Sequence, residues 1–219
     1  QEDILYIPID TTPKTGSTYC ENFDISFERP SDFLIVINGE DNSRVLVQER
    51  YEVLRAMFLH ETENRDAYID AVDSDTPTFK TINLMLQTAT PLLTGNWEAS
   101  AEVYETGLLT YGNANPEAED FNSLADFIFS GEYIELKIPW QMLNFSNPSE
   151  MMIHDDYYEC YGVENIQINE MFVGISDKEN TKYRIHMEPF QLKGWGRKVT
   201  YHERLKKSYY MIKDYWSNK

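Results

Sequence analysis

The stretch FLIVINGEDNSRVLVQERYEV, residues 33–53, decides the fold. Phe33–Ile37 is apolar at every position and too short for a buried helix, so it reads as a strand covered on both faces. Asn38–Asn42 follows, rich in residues that tolerate positive φ, and marks a turn. Val45, Val47, Tyr51 and Val53 then alternate with Leu46, Gln48, Arg50 and Glu52, the pattern of a return strand. A hairpin whose first strand is apolar on both sides belongs in the middle of a sheet.

Further strands are predicted on either side of this hairpin. Ile4–Ile9 precedes it. The polar stretch Glu61–Thr78 reads as an excursion, after which Phe79–Leu86 and Glu98–Leu109 resume strand character. In Glu132–Ile138 the residues Ile134, Leu136 and Ile138 share one face, and Tyr133, Glu135 and Lys137 the other. Pro139 ends that ladder and suits the first position of a short helix. Trp140, Met142 and Leu143 then make one apolar turn, stopped at Asn147-Pro148. Trp140 is expected to be a peg closing the end of the core, in preference to a ligand platform. Met171–Ser176 and Tyr183–Leu192 complete the strands.

The period changes at the C-terminus. Tyr201, Leu205, Tyr209, Ile212 and Trp216 fall on one helical face, and Thr200 with Glu203 forms a capping-box pattern. The fold class that follows is all-β: an antiparallel β-sandwich over residues 1–198, with short helical turns, and an amphipathic helix over 199–219 docked on it.

The chain has 219 residues and a net charge of −18, with 37 acids scattered against 19 bases. That balance excludes nucleic-acid backbone binding as the main task, since such binding needs a basic footprint, and it disfavours an anionic membrane surface. No run is long enough for a membrane span. Cys20 and Cys160 form no metal or redox motif; a long-range disulfide between them stays open. The chain starts at Gln1 without a visible signal peptide, and a mature fragment of a longer polypeptide is expected.

Glu132-YIELKIPWQML-Leu143 resembles the late strand and corner of family 9 carbohydrate-binding modules and the wider DOMON-like β-sandwiches. There an acid stands two or three residues before an Ile-Pro-Trp or Ile-Pro-Phe corner, and a short helical turn follows. Asp32–Glu52, Tyr104–Phe127 and Tyr201–Lys213 are similar to segments in the C-terminal regions of a bacterial branch of such proteins. The resemblance implies a sandwich domain of a larger extracellular or surface protein. It also implies two kinds of partner, a glycan and other domains of the same polypeptide.

Two segments carry candidate chemistry. Tyr111-GNANPEAEDFNS-Ser123 combines tight-turn residues with side chains suited to sugars. Tyr111 and nearby Trp97 are candidates to stack on a pyranose, and Asn113 and Asn115 to bond its hydroxyls. The alternative is a rigid turn whose Asn side chains bond their own backbone. His154-DDYYE-Glu159 holds three carboxylates, which admits a Ca²⁺ site, though a solvated acidic turn is favoured and no other cofactor is indicated. His60, His154, His186 and His202 form no zinc motif, and no nucleophile elbow or phosphate loop is present. The expectation is a non-catalytic glycan-binding domain. The alternatives are an accessory module packed on a catalytic neighbour or, behind both, a glycan-active enzyme.

Overall fold

The computed structural model describes residues 4–52, 72–87, 90–91, 98–160, 164–180, 182–196 and 206–217. Its centre is a seven-stranded antiparallel sheet. β1 (Leu5–Asp10), β4 (Phe33–Ile37) and β5 (Arg44–Gln48) form the middle. β6 (Phe79–Thr81) flanks β5, and β16 (Glu170–Gly174), β17 (Ser176–Asp177) and β18 (Met187–Gln191) lie on the β1 side.

The pleat of these strands builds two cores. In register, Ile7 faces Ile35 and Ile35 faces Val45, while Ile9 faces Phe33 and Phe33 faces Val47. These side chains pack on one side with Leu109, Phe127, Leu143, Phe145, Ile153 and Ile168. Their neighbours Tyr6, Leu34, Val36 and Leu46 point the other way and meet Cys20, Ile25, Phe27, Phe79, Ile185 and Met187. Alternation thus delivers every second residue to a different apolar layer, which is why Phe33–Ile37 has no polar position. All five of its residues are buried, as the sequence predicts.

Each face has its own cover. The first core lies under the hairpin β11 (Phe127–Ser130)–β12 (Tyr133–Leu136) and the small sheet β13 (Phe145–Asn147)–β14 (Met152–His154)–β15 (Asn165–Gln167). The second is closed by the hairpin β2 (Ser17–Cys20)–β3 (Ile25–Ser31). Two further pairs, β7 (Asn83–Gln87) with β10 (Glu102–Glu105) and β8 (Thr90–Pro91) with β9 (Glu98–Ala99), stand outside these layers. The protein is therefore an all-β, antiparallel, sandwich-like fold.

Details depart from the alternation pattern. The return strand stops at Gln48, where a 3-10 turn, Glu49–Tyr51, takes over. Gln48 is fully buried, and its side-chain amide donates to Ser74 O and Thr76 O, which pins the following polar segment. The strand at Tyr133–Leu136, the most regular by pattern, is a peripheral hairpin arm with Leu136 partly open to solvent. Pro139 is the residue before the 3-10 turn Trp140–Leu143, which ends on Asn144 at φ 68. Trp140 is half-buried against the first core, edge-on to Phe145 at 4.7 Å and tilted on Trp195 at 6.5 Å.

Cys20 is a free, buried thiol whose Sγ lies 3.7 Å from Asn22 Oδ1, and burial pushes it up to about 11. The C-terminal helix spans Lys207–Ser217. Tyr201, Leu205 and the capping-box pair lie outside the described residues. The three described members of the apolar stripe, Tyr209, Ile212 and Trp216, are 46%, 50% and 72% exposed in a single chain. Among the described residues no helix is long and apolar enough to cross a membrane.

Candidate functional site

The loop that joins the outer strands to β11 is held by its own backbone. Gly112 sits at φ 153, and a Cβ there would meet Ala125 Cβ and Asn122 Nδ2, both at 3.3 Å. Its N–H donates to Phe127 O at 2.9 Å. Asn113 Oδ1 accepts from Asn115 N, and Asn115 Oδ1 from Glu117 N, both at 3.0 Å. Asn122 Oδ1 accepts from Leu124 N in the same way. These are three turns in which an Asn side chain replaces a backbone carbonyl. Asn113 Nδ2 also donates to Asp120 Oδ1 at 2.9 Å, closing the loop across its width.

Tyr111 is half-buried. Its ring stands 5.4 Å from Phe127 at 70° and 5.7 Å from Phe129 at 37°. It belongs to an aromatic cluster that seats the loop on the hairpin. Trp97, the other stacking candidate, lies outside the described residues. Of the four residues that the sequence nominates, Tyr111 packs in that cluster, Asn113 bonds across the loop, and Asn115 lines an open groove.

That groove, about 190 Å³, runs between the loop and the outer face of the β11–β12 hairpin. Gly112, Ala114 and Asn115 form one wall, and Asp126, Ile128, Glu135 and Lys137 the other. Register explains the grouping. Ile128 pairs with Glu135, and Ser130 with Tyr133, so these four share the face turned away from the core. Tyr133 is 75% exposed on that face. The two-residue connection begins at Gly131, whose φ of 62 suits a tight hairpin turn. Asp126 Oδ2 accepts from Thr110 N at 2.9 Å, and Asp126 O from Lys137 N at 2.7 Å, which fixes the far end. The sequence signal for Tyr133 and Glu135 is their alternation opposite Ile134; the groove that Glu135 lines is seen only in the folded chain.

The acid-rich segment at 154–159 has a different fate. Asp155 and Asp156 are buried. Arg50 places Nε at 2.8 Å and Nη2 at 2.6 Å from Asp156 Oδ2, and donates from Nη1 to Val72 O. Lys14 Nζ reaches Asp155 Oδ2 at 2.8 Å. Asp156 Oδ1 accepts from Tyr158 N, capping the short helix Tyr157–Cys160. Both carboxylates are spent on protein cations and amides, so the solvated turn expected here is instead a buried tether between sheet and outer layer. No cluster suited to a metal occurs among the described residues.

Asp32, at the corner between β3 and β4, is 0% exposed. Its Oδ2 accepts from Thr11 N and Thr12 N, both at 2.8 Å. Burial pushes its carboxyl from an ordinary 3.8 up to about 7, against the downward pull of those amides. Next to it Thr15 Oγ1 donates to Tyr51 OH at 2.8 Å. Sealed from solvent, this set organises the corner.

No family model, curated protein or solved structure matches the chain.

Proposed function

We propose that this domain is a non-catalytic glycan-binding module of a larger extracellular or surface protein, using the groove beside the β11–β12 hairpin. The observation that carries the reading is the outer face of that hairpin. It sets an exposed ring, Tyr133, in line with Glu135 and with the polar rim of Asn115, Asp126 and Lys137. Sugars offer apolar ring faces and hydroxyl edges, and this face offers a partner for each. The volume is below the roughly 300–1,000 Å³ of pockets that enclose drug-sized ligands. A groove of this size suits one ring of an extended chain that runs on along the surface.

Among the described residues, the carboxyl raised furthest lends no support to catalysis. Asp32 is beneath the surface, where no substrate reaches it, whereas a catalytic carboxyl must touch the reacting atoms. The test is a glycan array with this chain, followed by titration of Tyr133→Ala and Glu135→Gln against the captured glycan. The Tyr133 variant should bind about tenfold more weakly, at the upper end of what one aromatic contact contributes. An empty array, or full affinity in both variants, would remove the groove from consideration.

A further inference from the structure

Charge is divided unevenly along this chain. Residues 193–219 carry eight Lys and Arg against two acids, whereas residues 1–192 carry eleven against thirty-five. The helix Lys207–Ser217 lies in the basic part. On a 3.6-residue wheel Tyr209, Met211, Ile212 and Trp216 occupy one side, and Lys206, Lys213 and Asp214 the other. All four apolar side chains are exposed in a single chain. A helix of this length, about 16 Å, does not stay ordered in water on propensity alone and gains its stability by covering its apolar side.

The acidic part has a surface of the opposite kind. In the loop after Asn115, Phe121 and Leu124 are 45% and 75% exposed. They stand among Glu117, Glu119 and Asp120, with the Glu117 and Glu119 side chains open to solvent. The loop is rigid, because its three Asn-based turns and the Asn113–Asp120 bond fix it. It therefore offers an apolar pair ringed by carboxylates, complementary to an aromatic helix side edged by lysines. Both surfaces are open in a single chain, and a second copy presents each with its complement.

We propose that the C-terminal helix of one copy docks on the Glu117–Leu124 loop of a second copy, in a two-fold exchange that uses each surface once on either side. Tyr, Trp and Met are the residue types that dominate such interface centres, and rim charges set orientation and salt dependence. An anionic bilayer is the competing occupant for a basic, aromatic helix, but residues 1–192 would be repelled from it.

Sedimentation velocity on this chain over a concentration series decides the matter. At low ionic strength a dimer is expected, and salt should weaken it as the Debye length shortens. Ile212→Asp, on an exposed helix where folding is not at stake, should raise the dissociation constant roughly 30-fold, the effect of losing one central apolar anchor. Lys213→Glu should raise it less, and Glu119→Lys in the same chain should recover the loss. A monomer at every concentration overturns the proposal and leaves the helix to a neighbouring domain. So does a dimer indifferent to Ile212→Asp, or a failure of the charge swap to recover association. Flotation of monomeric chain with phosphatidylserine vesicles would reassign the helix to membranes.

Discussion

The two acid-rich segments, Asn115–Asp126 and His154–Glu159, look alike in composition and end in opposite environments. The first satisfies itself. Its Asn side chains bond the local backbone, its carboxylates face water, and it borders a groove. The second makes two short-range bonds, Asp156 N to Asp155 Oδ1 and Tyr158 N to Asp156 Oδ1, and its buried carboxylates are matched by Lys14 and Arg50 from the far end of the chain. A turn stabilised from within can present its charges to a ligand. One stabilised by distant cations has already used them. That distinction moves the candidate site to the first segment and makes the second a structural tether.

The sharpest way to break this comparison is to remove one cation. Arg50→Met strands Asp156 in the interior without its partner and should cost about 3–5 kcal/mol in urea unfolding. Glu119→Lys in the open segment should change stability by less than about 0.5 kcal/mol. Equal costs would mean that the two segments are equivalent after all.

Next in size is a pH effect from another buried carboxylate, Asp32. Asp32 has its carboxyl raised from 3.8 to about 7 in the folded state. Between those values the folded protein holds a proton that the unfolded chain has released. Stability therefore falls as pH rises through that window and levels off above about 7. Asp32→Asn should remove that slope, by an amount on the order of a few kcal/mol across the window. Denaturant titrations of both proteins at several pH values measure it. An identical slope in the variant would show that other groups cause it.

Within the open segment, supports and ligand contacts should separate. Tyr111→Ala empties a half-buried aromatic site and should cost about 2–3 kcal/mol in thermal or urea unfolding. Tyr133→Ala should be nearly neutral in stability and act on glycan affinity alone. A smaller cost than that of Tyr111→Ala is expected for Asn113→Ala, which deletes the loop-closing bonds to Asp120 and Asn115 N and should cost about 1 kcal/mol. Loss of glycan affinity in the Asn113 variant at unchanged stability would turn this support back into a contact.

The strand pattern around residues 33–48 was legible because local chemistry leaves little choice. An unbroken apolar strand beside an alternating one, joined by a turn rich in Asn and Gly, has few alternatives to a sheet interior. The loop at 111–123 was legible as a rigid turn for a similar reason, since Asn bonding to backbone two residues on is a contact within the sequence window. By contrast, Tyr111 was nominated for stacking because a ring next to a Gly-Asn loop looks the same whether it faces solvent or Phe127. The strand Tyr133–Leu136 had the clearest alternation, yet alternation reports that the two faces differ and not how deeply either is buried.

By itself, then, the sequence determined the all-β class, the central hairpin, the tight loop and the acidic charge balance of the chain. Each of these follows from residues near one another in the chain or from summed charge. Tertiary structure alone decided that Asp155 and Asp156 are buried tethers, that Asp32 is sealed under a corner, and that Glu135 shares a groove with Asn115. The physical reason is separation. Lys14 and Asp155 stand 141 residues apart, and Arg50 and Asp156 stand 106 apart. Whether a carboxylate meets water, a cation or a ligand depends on what the folded chain brings to it from that distance.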